Sequence, residues 1–324
     1  MQNLQLSYQR EMNAGTYHYS ESYHPKKTDQ IRVVFDSSAQ QGISLNNVLL
    51  TGPDLNNSLI GVLMRFRKEC VAVMADIQQM FHCFVVREDH RDYLWYRDND
   101  LNPLGSEYKM KVHVFGNSPS PAVAIYCLRR AAEKGAPQHG PDTRHFVERG
   151  FYVDDALISL PTEEEAIDLL KKTQASLSES NLRLHKIVSN SQQVLKAFPT
   201  EDHAKDIKDL DLSGTTMPTQ RSLGLNWETA TDTVTFKVSV NDKPFTRRGV
   251  LSMINSPFDP LGLVAPVTIQ GRFLLRELSI EGTDWDEPLP QEKRGEWESW
   301  RHSLKDLQHL HIPRPYTPNS LQKP

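Results

Sequence analysis

The chain has few cysteines, no long apolar run and no excess of positive charge. Its three cysteines are scattered among 324 residues and share no metal-ligand spacing, which is typical of reduced, buried thiols. No run approaches the ~20 apolar residues of a bilayer-spanning helix, and the polar N-terminus is unlike a signal peptide. The sequence therefore predicts an intracellular protein, cytoplasmic or nuclear, that is neither secreted nor bound to a membrane.

The formal net charge is −4, which excludes a chain that is basic throughout. Any nucleic-acid binding would have to come from local basic clusters. Three such clusters stand at residues 65–68, 129–130 and 247–248. For each cluster the alternative is a solvated face without a partner. The length allows two or three subdomains, and the sequence has no repeat and no low-complexity tract.

Two adjacent acids, Asp154 and Asp155, stand inside the apolar stretch 151–160. Such a pair is costly between strand-forming residues unless a cation neutralises it. A third acid, Asp76, ends the apolar run 70–75. Two short strands that bring three carboxylates to one point would suit two divalent metal ions and phosphoryl transfer. The alternative for a double Asp is an ordinary turn or a solvated pair.

Hydrophobic periodicity predicts strands and helices that alternate along the chain. A Thr162-to-Glu165 capping box predicts the start of one helix, and another helix is expected to begin near Ile77. The alternation predicts an α+β fold around a small antiparallel sheet. The expected strands lie at 31–35, 70–76, 93–96, 109–115, 151–160, 223–227 and 233–238, and the expected helices at 55–68, 122–133, 162–179 and much of the chain after 246.

The order of the motifs resembles the reverse transcriptase of BEL/Pao-type long-terminal-repeat retrotransposons, a fragment of a Pol polyprotein. The motifs stand at 31–39, 75–82, 114–119, 151–155, 182–190, 223–227 and 258–266. The resemblance implies a right-hand polymerase of fingers, palm and thumb, with a small antiparallel palm sheet flanked by helices. It implies a polar lead-in with truncated fingers at 1–24, fingers and palm at 25–240, and a thumb-like or connection-like helical region at 241–324 that ends before an RNase H domain.

The same resemblance implies an RNA-directed DNA polymerase that adds deoxynucleotides to a primer on an RNA or DNA template. Asp76, Asp154 and Asp155 would hold two Mg²⁺ ions, with Mn²⁺ as a substitute. Lys186 would protonate pyrophosphate, although a lone lysine is commonly only solvated. No aspartic-protease motif and no ordered RNase H acids stand in the sequence, so neither activity is expected.

The resemblance also assigns residues to the incoming nucleotide. Phe81, five residues after Asp76, would act as a steric gate against the 2′-hydroxyl, or else is one more core aromatic. Gly116 would let the backbone approach the substrate closely. Phe115 stands where many relatives carry a glutamine, so that contact is lost. Tyr152 completes this expected substrate set.

Arg32 would bind the negatively charged triphosphate, and Lys26 or Lys27 would supply a second positive contact. The alternatives are a charge at a strand edge and a solvated loop. The primer terminus would be seated by a hairpin made of Leu223, Gly224 and Trp227, and the alternative for Trp227 is packing in the palm.

The expected partners are a primer–template duplex and deoxynucleotides. Two other interpretations stay open. One is a catalytically silent or domesticated remnant that binds only nucleic acid or a protein. The other is a host polymerase-fold enzyme similar to telomerase. The sequence leaves the oligomeric state open.

Overall fold

A computed structural model describes residues 18–24, 27–38, 44–93, 95–97, 107–204, 219–238, 243–280 and 284–316. The strands are β1 (His18–His24), β2 (Lys27–Asp36), β3 (Val71–Ile77), β4 (Trp95–Arg97), β5 (Glu107–Lys109), β6 (Phe151–Tyr152), β7 (Asp155–Leu160), β8 (Leu184–Ser189), β9 (Thr219–Ser222), β10 (Leu225–Glu228), β11 (Thr233–Thr235) and β12 (Ile312–Pro313). The α-helices are α1 (Leu45–Val48), α2 (Leu59–Phe66), α3 (Ser120–His139), α4 (Pro141–Gly150), α5 (Glu163–Ser178), α6 (Gln192–Lys196), α7 (Arg247–Ile254), α8 (Ala265–Ile280) and α9 (Arg294–Asp306).

The first of two compact units comprises Met1–Asn57, Ile77–Asp154 and Lys171–Leu184. It contains two antiparallel hairpins, β1 with β2 and β4 with β5, and the helices α3 and α4. Gly140 separates these helices with φ +97°, a conformation that costs glycine little. Its amide donates to the carbonyl of Ala136, and Pro141 then starts α4, as its fixed φ favours.

The second unit comprises Ser58–Asp76, Asp155–Leu170 and His185–Pro324. Here β3 lies between β7 and β8. Residues 71–75 of β3 are all buried, which explains why this strand reads as a continuous apolar run rather than an alternating one. Ser189 at the end of β8 donates its hydroxyl to the carbonyl of Ala72, 2.8 Å away.

A further sheet in the second unit has the order β12–β11–β10–β9, and all its pairs are antiparallel. Its centre is Trp227, which is fully buried and meets the ring of Phe66 edge-on at 5.1 Å. Aromatic pairs in this arrangement add to the stabilisation from buried area. Trp227 thus packs in the core, as one of the two interpretations from the sequence had it.

The expected right-hand polymerase fold, with a small antiparallel palm sheet flanked by helices, is wrong for this chain. The chain divides into two units rather than fingers, palm and thumb, and β9–β12 form a four-stranded sheet of their own. The physical reason is β12, which pairs Val234 with Ile312. A segment expected to lie in a helical region thus returns to close a sheet.

Local predictions were more accurate than the global one. The N-cap at Thr162 is confirmed, because the Glu165 amide donates to Thr162 Oγ1 at 3.2 Å. The helix expected to begin near Ile77 is wrong: Gln79 has φ +49°, and a short 3-10 helix, Met80–Cys83, follows it. None of the helices within the described ranges combines the length and apolar character that a bilayer crossing requires.

Candidate functional site

Two of the predicted acids face each other across neighbouring strands. Asp76 near the end of β3 pairs in register with Asp155, the first residue of β7. Directly opposite residues of an antiparallel pair project from the same face of the sheet, and like charges there are destabilising. The register therefore places two of the three expected carboxylates side by side.

The turn before Asp155 is strained. Val153 has φ +57°, which is unusual for a β-branched residue. The carbonyl of the next residue, Asp154, accepts a hydrogen bond from the Ile77 amide at 3.0 Å. Strain of this kind persists only where the surroundings impose it, and it is concentrated at functional sites.

A lysine supplies positive charge at Asp76. The Lys186 ammonium donates to Asp76 Oδ2 at 2.8 Å, and His185 Nε2 lies 3.4 Å from Oδ1. Adjacent residues of a strand normally point to opposite faces. Lys186 has φ +52°, which breaks that alternation, so both side chains reach one carboxylate. The sequence indicated Lys186 but not His185. Both side chains reach Asp76 only because Lys186 is in the left-handed region, and no sequence pattern predicts that conformation for a lysine.

The donor set fits a hard divalent cation in chemical terms. Mg²⁺ is held through one or two carboxylates and keeps several waters, and Asp76 and Asp155 provide two. The described residues contain no group of three or more His, Cys, Asp or Glu side chains already arranged around a metal position. Lys186 takes the role of counter-charge in this arrangement.

The expected nucleotide-binding residues Phe81, Phe115 and Gly116 lie in the first unit. The Phe81 ring is half-buried and stacks on His113 with centroids 6.2 Å apart. Phe115 is also half-buried, with its ring 5.8 Å from that of His82. Gly116 has φ +99°, so glycine is required there by its backbone conformation.

The remaining predicted residues are less well defined or differently placed. Tyr152 is half-buried in β6. Arg32 lies in β2 opposite Ser22, and Lys27 starts that strand; their side chains are not among those the structure describes. Lys26 lies outside the described residues.

The hairpin expected at the primer terminus is present in the second unit. Leu223 and Gly224 connect β9 to β10 with φ +50° and +81°, the two positive values of a type I′ turn. A side chain on Gly224 would meet the ring of Phe258, whose Cδ1 lies 2.4 Å from the position of a Cβ. Phe258 is 46% exposed, and sequence reasoning did not single it out for this site.

The basic clusters are largely engaged within the protein. Arg67 is buried, and its Nε donates to the Arg314 carbonyl at 2.8 Å. Burial and the nearby Arg314 charge lower the pKa of Arg67. Arg129 donates to the Leu55 carbonyl at 2.9 Å, and Arg130 pairs with Glu133. A count of basic residues therefore overstates the charge available to a nucleic acid.

The C-terminal part of the chain matches a known protein family model. Residues 246–324 match the family model described as "Pao retrotransposon-like RNaseH-like domain". Similarity to a Pao-type retrotransposon is thus confirmed for that region. No curated protein matches the chain in sequence.

Two solved structures are similar in fold. A foamy viral protease–reverse transcriptase in complex with double-stranded DNA has a TM-score of 0.58 at 14% identity, covering 91% of this chain and 44% of that one. A foamy viral protease–reverse transcriptase in complex with an RNA/DNA hybrid has a TM-score of 0.56 at 14% identity, covering 90% and 33%. The chain thus spans less than half the length of either protein.

The family match overturns two predictions. The sequence was expected to encode a polymerase core, a reverse transcriptase without any RNase H site, yet the matching region is RNaseH-like. That expectation depended on the absence of an ordered set of acids. Similarity to a family depends on the residue pattern of the whole segment, whereas individual acids can differ between proteins that share a fold. The expected binding of deoxynucleotides finds no support in these comparisons.

Proposed function

We propose that the chain is a nucleic-acid-binding module of a retrotransposon Pol protein, which holds an RNA/DNA hybrid next to a divalent-cation site at Asp76 and Asp155. The RNaseH-like family match over residues 246–324 supports this proposal. The two solved structures of similar fold also support it, because one is in complex with double-stranded DNA and the other with an RNA/DNA hybrid.

The observation that carries the proposal is the in-register pair of Asp76 and Asp155. Two acids at one point of a sheet are unfavourable without a cation, and a chain of net charge −4 gains little attraction for phosphate from its overall charge. A divalent ion bound there would supply positive charge to phosphate oxygens. Asp76 and Asp155 would hold that ion, and Lys186 compensates Asp76 when the ion is absent.

A second contact is proposed at the turn formed by Leu223 and Gly224. Phe258 packs closely against Gly224 and is nevertheless 46% exposed as a residue. An exposed ring beside a narrow turn offers a stacking surface to a base at a strand end. These contacts position a strand without reading its sequence, so little sequence preference is expected.

Binding to labelled duplexes tests the proposal. The chain is titrated onto an RNA/DNA hybrid, double-stranded DNA and double-stranded RNA of equal length, with and without Mg²⁺, over a range of salt concentrations. We expect binding that weakens as salt rises and that Mg²⁺ strengthens, with the hybrid bound most tightly.

The Asp76→Asn/Asp155→Asn variant should lose the Mg²⁺ effect and keep the salt-sensitive binding. Removing two acids also makes the chain less negative, so Asp306→Asn/Glu292→Gln, which changes two exposed acids, serves as the charge control. No binding to any duplex at low salt would refute the function. An unchanged Mg²⁺ effect in the double variant would refute the cation site alone.

A further inference from the structure

The arginine pair at the start of α7 is covered by a short acidic loop, residues 284–287. Arg248 donates from Nε and Nη2 to the two carboxylate oxygens of Asp286, at 2.7 and 3.1 Å. Its backbone amide donates to the Trp285 carbonyl at 3.0 Å. The Arg247 guanidinium carbon lies 4.5 Å from the centroid of the Trp285 ring. Both arginines are thus engaged by two consecutive loop residues.

The chemistry of these contacts matches that of a nucleotide. A guanidinium fork binds two oxygens of a phosphate as it binds two oxygens of a carboxylate. An arginine plane stacks on an unpaired base as it stacks on an indole ring. Asp286 and Trp285 therefore stand where a phosphate and a base would stand.

The loop is anchored to the second unit at its C-terminal end. An isolated bridge joins Thr246 to Pro288, and the amide of the buried Leu289 donates to the Phe245 carbonyl at 3.0 Å. The loop itself is exposed, as are the side chains of Arg248 (65%) and Asp286 (69%). An ion pair that is so exposed is screened by salt and contributes little net stability.

We propose that the acidic loop is a displaceable cover over an arginine pair that contacts single-stranded nucleic acid. A strand phosphate replaces Asp286 at Arg248, and an unstacked base replaces Trp285 over Arg247. This inference rests on the proposed function, because it identifies a contact for the single-stranded end of a bound duplex. The loop anchor at Leu289 stays in place, so the cover swings away without unfolding.

A charge-neutral loop tests the cover. Asp286→Asn removes the competing carboxylate, and a duplex with a single-stranded overhang should then bind about threefold more tightly at low salt. The slope of log K against log salt should steepen by about 0.7, the value for one added phosphate contact on a single strand. A blunt duplex of the same length should show no such gain. Adding Arg248→Gln to Asp286→Asn should abolish the gain.

The matched control is Glu298→Gln, which removes the same charge from another exposed pair, Arg294 with Glu298, whose Nε and Oε1 lie 3.0 Å apart. An equal gain in that control, or a gain that survives Arg248→Gln, would overturn the cover.

Amide exchange gives an independent measurement: in the wild type, bound overhang DNA should deprotect the Arg248 amide and leave that of Leu289 protected. Unchanged protection at Arg248 would also overturn it. If no variant and no wild-type protein bound any duplex, the proposed function itself would fail.

Discussion

The ammonium of Lys186 donates a hydrogen bond to Asp76 at 2.8 Å, from a residue in the left-handed region of backbone space at φ +52°. The lysine occupies the same carboxylate that a divalent cation would need. A cation bound at Asp76 and Asp155 must therefore compete with a positive charge that the protein itself provides.

Replacing Lys186 should strengthen cation binding. Lys186→Asn removes the charge, and asparagine tolerates a positive φ better than most residues. Since about half of the lysine side chain is exposed, its ion pair is screened and the gain is modest, about two- to fivefold in Mn²⁺ affinity. Electron paramagnetic resonance of free Mn²⁺ measures this directly.

Lys196→Asn is the control, because it removes the same charge from an exposed position at the end of α6. Weaker Mn²⁺ binding by Lys186→Asn would mean that the lysine supports the site rather than competes for it. Equal gains in both variants would point to net charge alone.

The Leu223–Gly224 turn gives a second prediction. A Cβ at Gly224 would lie 2.4 Å from the Phe258 ring, whereas at Gly262, also at positive φ (+73°), it would meet nothing within 4 Å. Gly224→Ala should therefore lower the free energy of unfolding by about 1–3 kcal/mol more than Gly262→Ala does, the usual cost of overpacking. Urea unfolding of both variants measures the difference. Similar losses in both would mean that Phe258 moves aside freely.

Local sequence patterns predicted much of the candidate site. The apolar run before Asp76 and the strand-forming residues around Asp155 indicated two strands that each carry an acid near one end, and the structure pairs those two residues in register. Periodicity works here because each strand is buried and its acid breaks the pattern. The cap at Thr162 was equally local.

Contacts between segments distant in sequence were not predictable in the same way. The pairing of Val234 with Ile312 joins residues far apart in the chain, and no periodicity in either segment specifies its partner. Lys186 and Gln79 have a left-handed backbone conformation, which residues other than glycine rarely adopt. Basic clusters misled because charge in a sequence does not show which arginines are already engaged.

Two histidines predict a loss of stability in acid. Burial lowers the pKa of His82 and of His113 below the ordinary histidine value of 6.5, and for His113 the nearby His82 adds to the effect. The unfolded chain then binds more protons than the folded one as the pH falls below 6.5. The stability that the two neutral histidines contribute should be fully present above that pH, and the free energy of unfolding should decrease as the pH falls below it.

The variant His82→Phe/His113→Phe keeps two rings and removes both titrating groups. Urea midpoints measured at pH 7.5 and pH 5.5 should differ less for this variant than for the wild type. His302→Gln, at an exposed position on α9, should leave the difference unchanged. A wild type with equal midpoints at both pH values would contradict the prediction.

The last prediction concerns Arg314, which follows β12 and is fully buried. Its Nε and Nη2 donate to both carboxylate oxygens of Asp232, at 2.7 and 2.9 Å. The other contacts are with backbone carbonyls before β3, those of Phe66, Glu69 and Cys70. One guanidinium therefore joins the C-terminal segment to both sheets of the second unit.

Arg314→Met should lower the free energy of unfolding by about 3–5 kcal/mol, because it leaves a carboxylate and several carbonyls without their buried donor. Arg314→Lys should lose most of the same energy, since an ammonium cannot form the fork. Arg294→Met, on an exposed arginine of α9, should stay within about 0.5 kcal/mol of the wild type. If Arg314→Met failed to fold, the milder Asp232→Asn would still report the contact through its urea midpoint. Wild-type midpoints for both Arg314→Met and Asp232→Asn would show that residues 312–316 are not an integral part of the second unit.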